Sequence, residues 1–167
     1  MIPKTAVYAS SICILVAAVW FFLNSNEHEN KADAHDITAF TIEYDNDEIE
    51  WGACPEFMPE SCELAVIQGN PEEPNADVLF KLKPNTSVED HWHTSAERMV
   101  LLSGELEVDY DGQDPVMMNE GTYAYGPAGL SHETHCLDEG DCILFIAFEE
   151  AVDAISVEDQ EPPVSAY

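Results

Sequence analysis

The sequence predicts an all-β domain of the sandwich or barrel class, and three features predict it. Short apolar runs recur between turn residues such as Gly, Pro, Asn and Asp. The run ELEVDYD (105–111) alternates Leu106, Val108 and Tyr110 with acids, which buries one face and wets the other. No long segment carries a helical period, and no internal repeat is present. A chain of 167 residues, less its N-terminus, suffices for one domain of ordinary size with a real core. Its 34 Asp and Glu against 5 Lys and Arg give a formal net charge of −29. Such a field repels polyphosphate, so nucleic acid is excluded as a partner, and the acidity reads as a solvated surface suited to a salty medium.

In chain order, residues 1–23 come first. The segment from Thr5 to Leu23 is uncharged, with Lys4 before it and Glu27 and Glu29 after it. It is longer than a typical signal-peptide core and close to the minimum for crossing a bilayer, which reads as one N-terminal membrane helix. The nearest small-x-small cleavage site, Ala32-Asp33-Ala34, lies well beyond it, so an uncleaved anchor is preferred to a cleaved signal. Lys4 keeps the N-terminus cytoplasmic by the positive-inside rule. The rest of the chain is then exported, held on a bacterial inner membrane with its domain in the periplasm, or secreted if the segment is cut. Ile12 before Cys13 argues against a lipoprotein cysteine. Residues 24–38 are polar and suit a tether, in which His28 and His35 are solvated.

Residues 39–154 form the expected domain and 155–167 a disordered tail. Expected strands are AFTIEY (39–44), CELAVIQ (62–68), DVLFKLK (77–83), EDHWH (89–93), RMVLLS (98–103), ELEVDYD, PVMMN (115–119), TYAYG (122–126), SHETHC (131–136) and CILFIAFE (142–149). Export puts Cys54, Cys62, Cys136 and Cys142 in an oxidising compartment, where an even set allows three pairings. The close pairs Cys54/Cys62 and Cys136/Cys142 suggest local bridges, against an alternative of four partly buried thiols. Absence of CxxC spacing argues against a zinc finger.

His91 and His93 stand at i and i+2, so a strand EDHWH sends both imidazoles to one face and Trp92 to the other. The stretch TSA after His93 can bend Glu97 back to the same cavity, and the turn marked by Pro127 and Gly129 can aim His132 inward. Three imidazoles and one carboxylate suit a divalent transition ion that keeps open positions. Alone, HxH is weak. His135 has opposite parity to His132 and reads as surface, and Arg98 reads as a structural ion-pair partner in preference to an anion clamp. Met99, Leu101, Tyr123 and Tyr125 read as core.

The joint pattern resembles a known family. HWHTSAERMVLLSG (91–104) is similar to the first cupin motif, HxHxxxE with Gly104 beyond it. GTYAYGPAGLSH (121–132), with Gly121, Pro127, Gly129 and His132, is similar to the second motif, GxxxxxPxGxxH. Asn85 replaces a usual glycine, and Cys136 stands where an asparagine often ends the second motif. The flanking ACPEFMPESCELAVIQGNP (53–71) resembles, more loosely, the cupin regions of ChrR-type anti-sigma factors and their single-domain relatives; without a preceding helical domain, sigma regulation does not carry over. The resemblance implies a double-stranded β-helix, or jelly-roll barrel, with the metal held by His91, His93, Glu97 and His132. It further implies ferrous iron first among divalent metals, with zinc, manganese or nickel also fitting, a small-molecule substrate and a homodimer. The activity it implies is a metal-dependent dioxygenase. The alternative is a non-catalytic metal or small-ligand sensor module, and a metal-assisted isomerase or lyase is a third class.

Overall fold

A computed structural model describes residues 39–164, and in them the backbone is all strand, turn and irregular chain, with no helix. The expectations for residues 1–38, namely membrane helix, tether, His28 and His35, lie outside the described residues. By contacts, the chain divides into a unit of residues 1–41 and a unit Ile42–Tyr167, and the second carries every described strand.

The strands are β1 (Gly52–Ala53), β2 (Glu63–Gln68), β3 (Asp77–Leu82), β4 (Thr86–Trp92), β5 (Glu97–Ser103), β6 (Leu106–Tyr110), β7 (Val116–Met118), β8 (Tyr123–Gly126), β9 (His132–Cys136), β10 (Cys142–Phe148) and β11 (Ile155–Ser156). They form a six-stranded sheet in the order β1-β2-β3-β10-β5-β8 and a five-stranded sheet in the order β11-β4-β9-β6-β7, with every strand pair antiparallel. Sequence alternation sets which side chains lie between the sheets. Strand β10 turns Cys142, Leu144, Ile146 and Phe148 inward, β6 turns in Leu106, Val108 and Tyr110, and β5 turns in Glu97, Met99 and Leu101. Apart from Glu97, these side chains make one core with Val78, Leu82, Val88 and Met118. A smaller cluster of Ile49, Ala65 and Leu79 packs with Trp51, Ile67 and Phe145.

Two turn positions show why their residues are what they are. Asn85 has φ 57 and Gly104 has φ 84, both in the left-handed region that Asn tolerates and Gly enters freely. At Gly104 a Cβ would also meet the Asp141 carbonyl at 2.8 Å. Gly121 and Gly129 also have positive φ.

Cysteine pairing is local, Cys54 to Cys62 and Cys136 to Cys142. The second bridge staples β9 to β10 across a turn, with both sulfurs in the core. Replacing both Cys136 and Cys142 by Ala should lower stability by about 2 kcal/mol through loop-closure entropy. The check is a lower urea midpoint than the wild type shows under oxidising conditions.

Three expectations are corrected. AFTIEY forms no strand: Phe40, Ile42 and Tyr44 stay exposed, and β1 already occupies the edge beside β2. Tyr123 and Tyr125 are not core but 58% and 50% exposed, because β8 is an edge strand that turns Gly126, not its tyrosines, inward. Residues 155–164 are not a free tail. Ile155 and Ser156 pair with Trp92 and His91, Val157 N donates to Asp90 O at 3.1 Å, Trp92 Nε1 donates to Gln160 O at 3.0 Å, and Leu130 bridges to Val164. The cause is the outer edge of β4, whose backbone groups and large indole need partners.

Candidate metal centre

His91 reaches the interior through an irregularity that alternation alone conceals. Val88 faces inward, so a regular β4 would send residue 91 outward. The pairing of β4 with β9 slips between Val88↔Thr134 and His91↔His132, a β-bulge that turns His91 back to the core face. His93 lies just past the strand, and its carbonyl accepts a hydrogen bond from Gly129 N at 2.8 Å, which ties the two motifs together. The turn that follows is anchored by buried Ser95, whose Oγ accepts from Glu149 N and Glu150 N at 2.9 Å each. It delivers Glu97 as the first residue of β5. The turn from Pro127 to Leu130 delivers His132 as the first residue of β9.

All four side chains are buried. One ring nitrogen from each of His91, His93 and His132 falls within a 4.8 Å cluster. The Glu97 carboxylate stands beside it, with Oε2 at 3.6 Å from His93 Nε2 and Oε1 at 3.4 Å from His132 Nε2. Backbone carbonyls orient two of the rings. His91 Nδ1 donates to Glu89 O at 2.9 Å, and His93 Nδ1 donates to Asp153 O. A carbonyl only accepts, so Nδ1 carries a proton in both rings, which reserves Nε2 as the nitrogen that can meet a ligand.

The electrostatics suit a cation. Burial, and then the neighbouring His93, lower the His91 pKa to about 4, and burial with His91 and His93 holds His132 well below its ordinary range. Burial pushes Glu97 upward, against the pull of His93. Glu97 Oε1 is buried with no hydrogen-bond partner. A carboxylate so placed is costly unless something neutralises and coordinates it. Imidazole nitrogens and an orphaned carboxylate oxygen are the donor set that a divalent transition ion takes, so these residues fit the metal that the cupin resemblance implies.

The His91 shift fixes the sign of a pH effect in the metal-free protein. Between pH about 6.5 and 4 the unfolded chain binds a proton at His91 that the folded chain refuses, so this contribution to stability falls as pH falls. Against a His91→Gln reference, the stability difference should shrink by about 3 kcal/mol across that window, measured by denaturant titration at each pH. A flat difference would show that His91 titrates normally.

A cavity of about 210 Å³ has His91, His93, Glu97 and His132 among its lining residues. Its other walls are chiefly apolar: Leu64, Phe80, Val88, Leu144, Ile146, Phe148 and Val152, with Cys54, Pro55 and Met58 from the disulfide-closed loop. The remaining sequence candidates lie elsewhere. Arg98 pairs with Glu149 on the surface, and His135 Nδ1 bonds Ser87 Oγ at 2.9 Å on the outer face of its sheet.

Two residues went unread in the sequence, and a third, Tyr110, was read only as an inward-facing strand residue. Gly126 lies opposite Glu97 in the β5–β8 register, and a Cβ there would sit 2.7 Å from Glu97 Oε1. Its lack of a side chain makes the carboxylate's space; its place just before Pro127 was the available signal. Asp153 holds the turn after His93, its carboxylate accepting from Thr94 N at 2.9 Å and Thr94 Oγ1 at 2.6 Å. It lies far off in sequence and carries no motif. Tyr110 stacks on His132 with centroids 5.1 Å apart, and burial, then Glu97, raises its phenol pKa.

Comparison with known proteins follows the same lines. Residues 41–151 match the family described as the ChrR Cupin-like domain. Oxalate decarboxylase OxdC of Bacillus subtilis (strain 168) is 35% identical over 75 residues, 42% of this chain and 20% of that protein, so the chain spans about one fifth of the length of that curated relative. The polyketide cyclase RemF from Streptomyces resistomycificus superposes with a TM-score of 0.60 at 17% identity, covering 75% of this chain and 90% of that one. The DMSP lyase DddQ from Ruegeria pomeroyi DSS-3 superposes with a TM-score of 0.59 at 14% identity, covering 67% and 62%. The two solved structures share the fold with this chain.

Proposed function

The chain belongs to the ChrR Cupin-like domain family, and from that premise we propose that it is a metal-dependent dioxygenase acting on a small organic substrate. His91, His93, Glu97 and His132 hold the ion, with ferrous iron first and zinc, manganese or nickel able to use the same donors. One observation carries the reading. The four donors face a substrate-sized apolar cavity instead of closing on themselves, as a purely structural tetrahedral site would. Bound there, the ion supplies Lewis acidity and, as iron, electron exchange with O2. The protein's own residues orient the imidazoles through Glu89 O and Asp153 O, and keep water out with Phe80, Leu144, Ile146 and Phe148. Export through residues 1–23 is part of the proposal, and the two disulfides favour it because such bridges persist in oxidising compartments.

The test is metal analysis of the full-length protein purified without O2 or chelators, beside His91→Ala, followed by O2-uptake assays over small organic compounds. Near-stoichiometric iron that the variant loses, with substrate-dependent O2 uptake, is expected. Stoichiometric zinc without turnover would make the protein a binding module, and turnover without O2 would make it a lyase or isomerase.

A further inference from the structure

The loop closed by Cys54 and Cys62 stands between solvent and the cavity that the metal ligands line. Cys54, Pro55 and Met58 contribute to the cavity wall, while Pro55 and its neighbour Glu56 are exposed to water. Phe57, in the same loop, sets its ring 5.9 Å from that of His91 at 47°. Little besides the bridge holds this wall in place. The turn hydrogen bonds of residues 54–62 stay inside the loop, Met58 N donating to Pro55 O and Cys62 N to Pro59 O, both at 2.9 Å. At its base stand two register pairs of the edge strand β1 with β2, Gly52↔Leu64 and Ala53↔Glu63. Cys54, Phe57 and Met58 pack against the core, yet each is only partly buried. A segment with local hydrogen bonds and partial burial opens easily, and a cross-link limits how far it moves.

The two bridges of the domain differ in protection. Cys136 and Cys142 are 0% and 1% exposed inside the core, whereas Cys54, the partner of buried Cys62, is only partly buried and borders the cavity. Thiol–disulfide exchange needs a sulfur within reach of an attacking thiolate. The Cys54–Cys62 bridge is therefore the one that a dithiol opens while the domain stays folded.

We propose that the Cys54–Cys62 loop is a redox-latched lid on the metal cavity, closed while the bridge is intact and released when a dithiol reduces it. One thiolate of the dithiol attacks Cys54 Sγ, the S–S bond breaks, and Cys62 leaves as a thiolate. The second thiolate of the dithiol then displaces Cys54. The dithiol ends as a disulfide, each freed cysteine takes a proton, and two electrons have passed to the bridge. With the latch gone, Pro55, Phe57 and Met58 leave the wall together and the histidines meet solvent. This rests on reading the cluster as a metal centre that shares the cavity.

The experiment treats the full-length, metal-free protein with graded dithiothreitol in the absence of denaturant and maps free thiols by alkylation and mass spectrometry. After desalting without O2, access to the centre is read as the rate at which diethyl pyrocarbonate modifies His91, His93 and His132. His135, on the outer face of its sheet, is the internal reference. Reduction should free Cys54 and Cys62 before Cys136 and Cys142, speed modification of the three buried histidines by about tenfold or more, and leave His135 unchanged. Reoxidation should return the slow rate. Cys54→Ser/Cys62→Ser should show the fast rate without dithiothreitol and gain nothing from it; the reduced wild type gives the same readout, so the test does not depend on how well the variant folds. A chelator should strip zinc from the zinc-loaded variant about tenfold faster than from the oxidised wild type. A bridge that resists excess dithiothreitol, simultaneous reduction of both bridges, equal histidine modification with the bridge intact and open, or equal zinc release would each overturn the proposal. Zinc that fails to bind, or that His91→Ala retains, overturns the metal centre instead, and the modification rates still decide the lid.

Discussion

His93→Ala is expected to strip the centre of its metal, with affinity for added zinc or ferrous iron falling by more than about 100-fold, since loosening even an outer-shell partner costs 10–100-fold. The geometry explains why this residue is decisive. His93 contributes one of three nitrogens in the 4.8 Å cluster, stands 3.6 Å from Glu97, and is oriented by Asp153 O from a distant loop. Alanine removes the donor and frees the loop contact at once. Folding reports the same loss. An ion at 1,000 times its dissociation constant stabilises the folded state by about 4 kcal/mol, which raises Tm by on the order of 10 °C in a domain of this size. Wild type should show that rise on adding metal, and His93→Ala should show none. His135→Ala, altered on the outer face of the same sheet, should behave as wild type. Metal held by His93→Ala within tenfold of wild type would remove His93 from the ligand set.

Much of this centre is readable in the chain because strand periodicity acts over two residues. His91 and His93 share a face whatever the rest of β4 does, and His135 opposes His132 by the same rule. Asn85 and Gly104 were legible through the backbone conformations they tolerate, and the close cysteines through the short loops they span. What escaped depends on contacts between distant segments. The bulge between Val88 and His91 exists only in relation to β9, and no local pattern signals the partner's register. Tyr123 and Tyr125 carry an alternation like that of Leu106 and Val108, yet their strand ends at an edge with nothing outside it. The acid-rich residues 155–164 read as tail because their composition is polar, but backbone pairing with β4 and a carbonyl for the Trp92 indole hold them. AFTIEY fails in the opposite sense, having a strand's composition and no partner strand. Propensity decides neither case; unsatisfied backbone on a neighbouring strand does.

Gly126→Ala isolates the least visible part of the centre. The added Cβ would stand 2.7 Å from Glu97 Oε1 and 2.9 Å from its Cγ, closer than such atoms approach, and Glu97 is 2% exposed with little room to withdraw. Overpacking of this kind costs about 1–3 kcal/mol. Backbone strain contributes nothing, because φ at Gly126 lies outside the left-handed region, and alanine alone would gain about 0.4–1 kcal/mol from a stiffer unfolded chain. The two terms have opposite sign, and removing the carboxylate separates them. In the metal-free protein Gly126→Ala should be destabilising, whereas in a Glu97→Ala background the same change should be neutral or stabilising, a coupling of about 1–3 kcal/mol between directly paired residues. The single variant should also bind metal about 10–100-fold more weakly, as its carboxylate is forced out of line with His93 and His132. Denaturant titration of the four proteins in the cycle measures the coupling directly. A Gly126→Ala protein more stable than wild type with Glu97 intact would mean that the carboxylate does not occupy the space this glycine leaves.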